Sequence, residues 1–189
     1  MGFLKNWWDD LGRDRKERKA WNLQDSAWGY AWIKGQTDHA KSAALYVRSA
    51  ELYAEINENQ KAARSYHLAG EQENELGNHA KANRRFEQAI QLNPELAQAY
   101  RDLAINHAGG RGVNADHARA AELFETAAEL LSRQDSGHRE CAACCLRAAE
   151  QESLLGHSAE AEKWRKKGEA MNKEADRLQS TFVIPKIEE

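Results

Sequence analysis

An alternation of small and large apolar residues recurs along the chain at helical spacing. Residues 82–89, ANRRFEQA, and 120–127, AAELFETA, each read alanine, three residues, phenylalanine, two residues, alanine. Ala62, Tyr66 and Ala69 repeat the spacing, as do Ala43, Val47 and Ala50. Positions i, i+4 and i+7 share one face of an α-helix. Each set therefore predicts a helix that a neighbour approaches closely around one bulky side chain. Breaks fall at Lys34–Thr37, Asn57, Gly77, Pro94, Gly109–Gly112, Ser136–Gly137 and Gly156, all turn-forming stretches. The pattern predicts helices near 26–34, 38–56, 58–75, 78–92, 95–108, 115–133, 137–155 and 158–178. The fold class is all-α.

A longer period overlies this one. Tyr66 and Tyr100 are 34 residues apart, and Ala69 and Leu103 share that offset. Residues 63–96, ARSYHLAGEQENELGNHAKANRRFEQAIQLNPEL, resemble a tetratricopeptide repeat through Tyr66, Ala69, Gly70, Gly77, Ala82, Phe86, Ala89 and Pro94. Residues 107–124, HAGGRGVNADHARAAELF, resemble the Sel1-like variant through Gly109, Gly110, Gly112, Val113, Asp116 and Ala120. The resemblance implies a right-handed α-solenoid of about 3.5–4 helical hairpins. On that reading residues 1–24 are an N-terminal helix and basic connector, 25–178 the repeat domain and 179–189 an extended tail. It also implies a groove lined by the first helix of each hairpin, able to hold a peptide or helix of a partner protein. The implied groove positions are Arg64, His67, Glu71, Asn74, Gln98, Arg101 and Ile105, with Leu146 and Glu150 in the last hairpin. Glu71 would repel a chain-terminal carboxylate there.

Before the repeats the pattern changes. Phe3, Leu4, Trp7, Trp8 and Leu11 share one face of a helix, with Lys5, Asn6, Asp9 and Asp10 on the other. RDRKERK follows at 13–19, and five of six tryptophans lie within the first 32 residues. A helix this short needs a surface to lie on. Three surfaces compete: the exposed end of the chain's own first hairpin, another chain, whether a partner or a second copy, or a membrane surface. Asp9 and Asp10 weigh against lipid, since interfacial helices usually carry lysine and arginine on the polar face. At the other end Phe182, Val183, Ile184 and Ile187 give the tail enough apolar surface to dock along a groove.

Composition narrows function by exclusion. The formal net charge is −3 and pI about 6.2, which gives no global electrostatic case for nucleic acid. No apolar run reaches the ~18 residues of a spanning helix, and Asp9 and Asp10 make the N-terminus a poor leader peptide. Cys141, Cys144 and Cys145 lie in one short stretch, a spacing suited to reduced thiols in a cytoplasmic protein rather than a disulfide framework. His138, Cys141 and Cys145 share a helical face, yet a zinc site normally closes four ligands on one point. Small cysteines at a helix–helix contact explain them better. The glycines at 109–112 lack the lysine and preceding strand of a phosphate loop. No residue set reads as catalytic, metal-binding or cofactor-binding. The sequence thus predicts a non-enzymatic cytoplasmic adaptor or scaffold. It binds its partner through the groove or the N-terminal tryptophan face. The alternative is a peripheral membrane scaffold resting on residues 1–20.

Overall fold

A computed structural model describes residues 2–32, 37–134 and 137–181, with side chains from Asp10 to Ser180 of that set. Eight α-helices and no strand occupy the described residues. They are α1 (Gly2–Trp32), α2 (His39–Glu55), α3 (Asn59–Glu75), α4 (His79–Leu92), α5 (Ala97–Ala108), α6 (His117–Ser132), α7 (His138–Leu154) and α8 (Ser158–Thr181). Two compact units divide the chain. One comprises residues up to Ala99 with Arg111–Val113, the other Tyr100–Gly110 with residues from Asn114 onward. Seven of the expected helices are present within two or three residues. The short helix expected at 26–34 is instead the end of α1, which runs unbroken from Gly2 to Trp32. Of the extended tail expected at 179–189, residues 179–181 instead continue α8 to Thr181, and 182–189 lie outside the described residues.

In the first unit α1 packs on α2, α2 on α3 and α3 on α4. Alanine sets the spacing. Tyr46 is buried against Ala27 and Ala69, and Tyr53 against Ala20, Ile56 and Ala62. Tyr66 packs with Ala50, Ala63, Ala89 and Ala99. Methyl-sized neighbours bring the helix backbones close enough for one large ring to fill each gap. At Gly70 even a methyl group is too much, since a Cβ there would stand 2.5 Å from the Phe86 ring. Ser42 and Ser49 tighten α2 on α1 by donating to the carbonyls of Ala27 and Ala20, each at 2.8 Å. The large residue expected on α2 was Val47, which is only half-buried; its neighbour Tyr46 is buried instead.

The helix ends follow from turn chemistry. After α2, α3 and α7 the chain turns through a residue of positive φ: Asn57, Gly77 and Gly156. Each turn closes with paired backbone bonds. Gly77 N donates to Asn74 O and Asn78 N to Glu73 O, and Asn57–Glu58 and Gly156–His157 repeat the pair. This is the Schellman arrangement, in which the left-handed residue lets two orphan carbonyls find donors. Asp38 and Asp116 cap the N-termini of α2 and α6, accepting from Lys41 N and Arg119 N at 2.9 Å.

The second unit repeats the first on a period the sequence reading missed. Helices α3 and α7 are both 17 residues long. Seven of the eight buried positions of α3, 62, 63, 65, 66, 69, 70 and 72, recur in α7 at 141, 142, 144, 145, 148, 149 and 151, each 79 further on; the eighth, His67, corresponds to the exposed Leu146. The polar ties recur too. His39 Nδ1 lies 2.8 Å from Gln72 Oε1, and His117 Nδ1 lies 2.8 Å from Gln151 Oε1. Asn78 Nδ2 donates to Glu73 Oε2 at 2.8 Å, and His157 Nδ1 stands 2.7 Å from Glu152 Oε2. The repeating block is therefore three helices, α2–α4 and again α6–α8.

Candidate functional site

A cleft opens between α2 and α4 in the first unit, with a volume of about 410 Å³. Its floor is apolar and small: Ala40, Ala43, Ala44 and Val47 of α2, with Leu76 at the end of α3. Lys81 and Arg85 of α4 form one wall. Alanine leaves the hollow, because no side chain on that face of α2 reaches far enough to fill it. A second hollow of about 500 Å³ follows α4 past Lys81, Arg84, Arg85, Glu87, Gln88 and Gln91, three bases to one acid. A third, at the first turn of α4, adds Gly77 and Gly112. Gly112 has φ +72, and a Cβ there would meet Ala80 N at 2.3 Å. Its glycine thus lets the loop 111–113 lie against α4, where Asn83 Nδ2 donates to Arg111 O at 3.1 Å.

The bases of this wall, Lys81, Arg84 and Arg85, form no salt bridge among the described residues. Arg84 Nε donates to Ala80 O, and Arg85 donates to Gln88 Oε1 with its guanidinium 5.9 Å from the Tyr66 ring centre. Glu73, the acid at the cleft's edge, accepts from Asn78. An apolar floor with free cations above it suits a segment carrying both apolar and acidic side chains.

The groove positions implied by the repeat resemblance have varied settings. Arg64 is exposed on α3, while His67 is buried with its ring centre 5.6 Å from that of Phe86. Glu71 and Asn74 are half-buried, and Asn74 Oδ1 lies 3.0 Å from His79 Nδ1. Gln98 is half-buried in the first turn of α5. In the second unit Arg101 Nε donates to Asp102 Oδ1 at 2.8 Å, Ile105 is half-buried, and Leu146 and Glu150 are exposed.

The cysteines are core residues. Cys141, Cys144 and Cys145 are buried where the first unit has Ala62, Ser65 and Tyr66. Burial pushes the Cys144 thiol up to about 11 and the Cys145 thiol to about 12. Cys141 Sγ donates to Ala128 O at 3.2 Å. Such thiols stay protonated at neutral pH, whereas metal ligation and nucleophilic attack require thiolate.

The N-terminal helix docks on its own unit along part of its length. Arg13 donates to Ile56 O, Lys16 pairs with Glu55 at 2.9 Å and Glu17 with Lys61 at 2.5 Å. The stretch RDRKERK is helical, and its Arg13, Lys16 and Glu17 face the α2–α3 end of the unit. The proposed docking residues Phe3, Leu4, Trp7 and Trp8 lie in α1, with side chains outside the described set; Leu11 is half-buried. Ala20, Ala27 and Ala31 form the buried face of α1.

One sequence signal pointed to the cleft and went unread. Asp38-His39-Ala40-Lys41, Asn78-His79-Ala80-Lys81 and Asp116-His117-Ala118-Arg119 open α2, α4 and α6 with one tetrad. In α2 and α6 its base is engaged: Lys41 donates to Tyr30 Oη and Arg119 pairs with Glu122. In α4 the same base is Lys81, left free at the cleft. The contrast emerges only when the three tetrads are aligned. No helix among the described residues is long and apolar enough to cross a membrane.

Comparison with known proteins agrees on architecture. No family model matches the chain, and no curated protein matches its sequence. Among solved structures, a crystal structure of MamA is similar over 86% of this chain and 95% of that one, at 16% identity and a TM-score of 0.51. A second MamA crystal structure covers both chains fully at 16% identity and a TM-score of 0.49. The chain is all-α with the helical-repeat fold of the first of these.

Proposed function

We propose that the protein is a non-enzymatic adaptor of the tetratricopeptide/Sel1-like kind, holding an acidic, partly apolar segment of a partner protein in the α2–α4 cleft. The observation that carries this reading is the juxtaposition of an unfilled alanine floor with three bases that have no acidic partner among the described residues. Support comes also from the repeat resemblance at residues 63–96 and 107–124 and from the fold likeness. An extended or helical segment would set its apolar side chains over Ala43, Ala44 and Val47. Its carboxylates would meet Lys81, Arg84 and Arg85.

Affinity capture on the immobilised full chain tests this. Proteins retained by the wild type are identified by mass spectrometry, and the capture is repeated with Lys81→Glu/Arg84→Glu/Arg85→Glu. Lys81 and Arg84 are exposed and Arg85 is half-buried against Tyr66, so a melting curve checks that the fold is kept, and Lys81→Glu/Arg84→Glu serves as the milder variant. Loss of a defined acidic binding partner, with melting unchanged, supports the cleft. A retained set identical to that of the wild type refutes it.

A further inference from the structure

Three large apolar side chains stand in water on α1. Trp21, Trp28 and Trp32 are 58%, 60% and 67% exposed. They lie at i, i+7 and i+11, hence on one face, rotated about one residue from the buried alanine face. The same face carries Leu11, Asp14, Arg18 and Asp25, giving spacings of three and four throughout from Leu11 to Trp32. This is the seam spacing by which one helix lies along another. Asp14, Arg18 and Asp25 are exposed and make no ion pair among the described residues.

We propose that this seam pairs with the same seam of a second copy, antiparallel, about a two-fold axis near Trp21. The sequence around Trp21 is self-complementary. Arg18 lies one turn before it and Asp25 one turn after. A two-fold axis there brings Arg18 of each copy to Asp25 of the other, twice over, and sets Trp21 beside its own mate. Further out, Trp28 and Trp32 of one copy cover the Leu11–Asp14 turn of the other. Such reciprocity is what a two-fold interface demands of a single patch. In a parallel pairing Arg18 would meet Arg18 and Asp25 would meet Asp25.

Area is adequate for a modest dimer. At roughly 150 Å² each, the tryptophans offer about 450 Å² per copy. Leu11 and the aliphatic stem of Arg18 bring the total near the ~1,000 Å² that separates specific interfaces from chance contacts. An area at the low end for specific interfaces makes this a weak, concentration-dependent dimer with tryptophan at its centre.

Sedimentation equilibrium of the full chain tests the pairing. The wild type is expected to shift from 21.4 kDa toward twice that mass as concentration rises through the micromolar range. Arg18→Asp sets like charges against each other twice and should weaken association at least ~10-fold. The swap Arg18→Asp/Asp25→Arg should restore it to within about threefold, which an unspecific apolar contact would not do. Trp21→Glu should leave a monomer. A wild type still monomeric at about 100 µM overturns the proposal. So does a dimer indifferent to Trp21→Glu or not rescued by the swap. Flotation of a monomeric wild type with anionic phospholipid vesicles, abolished by Trp21→Glu, would also overturn it and assign the seam to lipid.

Discussion

Replacing Gly70 by alanine should destabilise the protein, although glycine is the poorer helix former. At an open helical site the change gains up to about 1 kcal/mol. At Gly70 the new methyl would lie 2.5 Å from Phe86 Cε1 and 2.8 Å from Cδ1, well inside contact distance. Phe86 is fully buried and packs on His67, so its ring has nowhere to turn. Overpacking of this kind costs about 1–3 kcal/mol, and so close a contact belongs in the upper half. The net loss is then about 1–2 kcal/mol, or roughly 3–6 °C in melting temperature for a chain of this size. Gly12 is the matched control, with nothing within 4 Å of its missing Cβ. Gly12→Ala should be neutral or stabilising. Thermal and urea denaturation of both variants reads the difference directly. Adding Phe86→Leu should make Gly70→Ala less harmful, giving a favourable coupling energy. A Gly70→Ala variant as stable as Gly12→Ala would refute the close packing of α3 on α4.

Other outcomes follow from the same structure. Native protein should react with none of its three cysteines at pH 8 on the timescale of a thiol assay with dithiobis(nitrobenzoate). All three should react in denaturant, since burial keeps Cys144 and Cys145 protonated. Glu125 has its carboxyl raised by burial and by the charge of Glu152. Its ionisation therefore opposes folding. That cost is absent below the ordinary carboxylate value and grows as pH rises through the folded value. Glu125→Gln should accordingly raise the melting temperature near pH 8 and leave it unchanged near pH 4. Ser49→Ala removes a buried bond to Ala20 O and should cost about 1 kcal/mol in denaturation midpoint, exposing α1 to faster hydrogen exchange.

Much of the fold was legible because its signals are local. Asn57, Gly77 and Gly156 mark left-handed turns whatever surrounds them, and Ala82, Phe86 and Ala89 declare a helix face in eight residues. What stayed hidden depends on partners distant in sequence. Val47 and Tyr46 are adjacent and both apolar, and only the placement of α1 and α3 decides that Tyr46 faces inward. The basic run at 13–19 reads as a connector until Glu55 and Lys61 appear opposite Lys16 and Glu17. The 79-residue period escaped because its landmarks change chemistry: Ala62 becomes Cys141, and Tyr66 becomes Cys145. The cleft escaped because alanines that create a hollow look the same in sequence as alanines that permit close packing. Ala43 does both, buried on one side and lining the cleft on the other.

The most direct test of the binding site is a map of where a partner segment touches the protein. The segment of a captured partner that survives truncation would be added to isotope-labelled full-length protein, and amide shifts followed by nuclear magnetic resonance. Perturbations are expected to cluster at Ala40–Val47 and Lys81–Gln88 and to weaken with salt. Shifts gathered instead on Arg64, Glu71 and Gln98, with α4 silent, would contradict binding in the cleft.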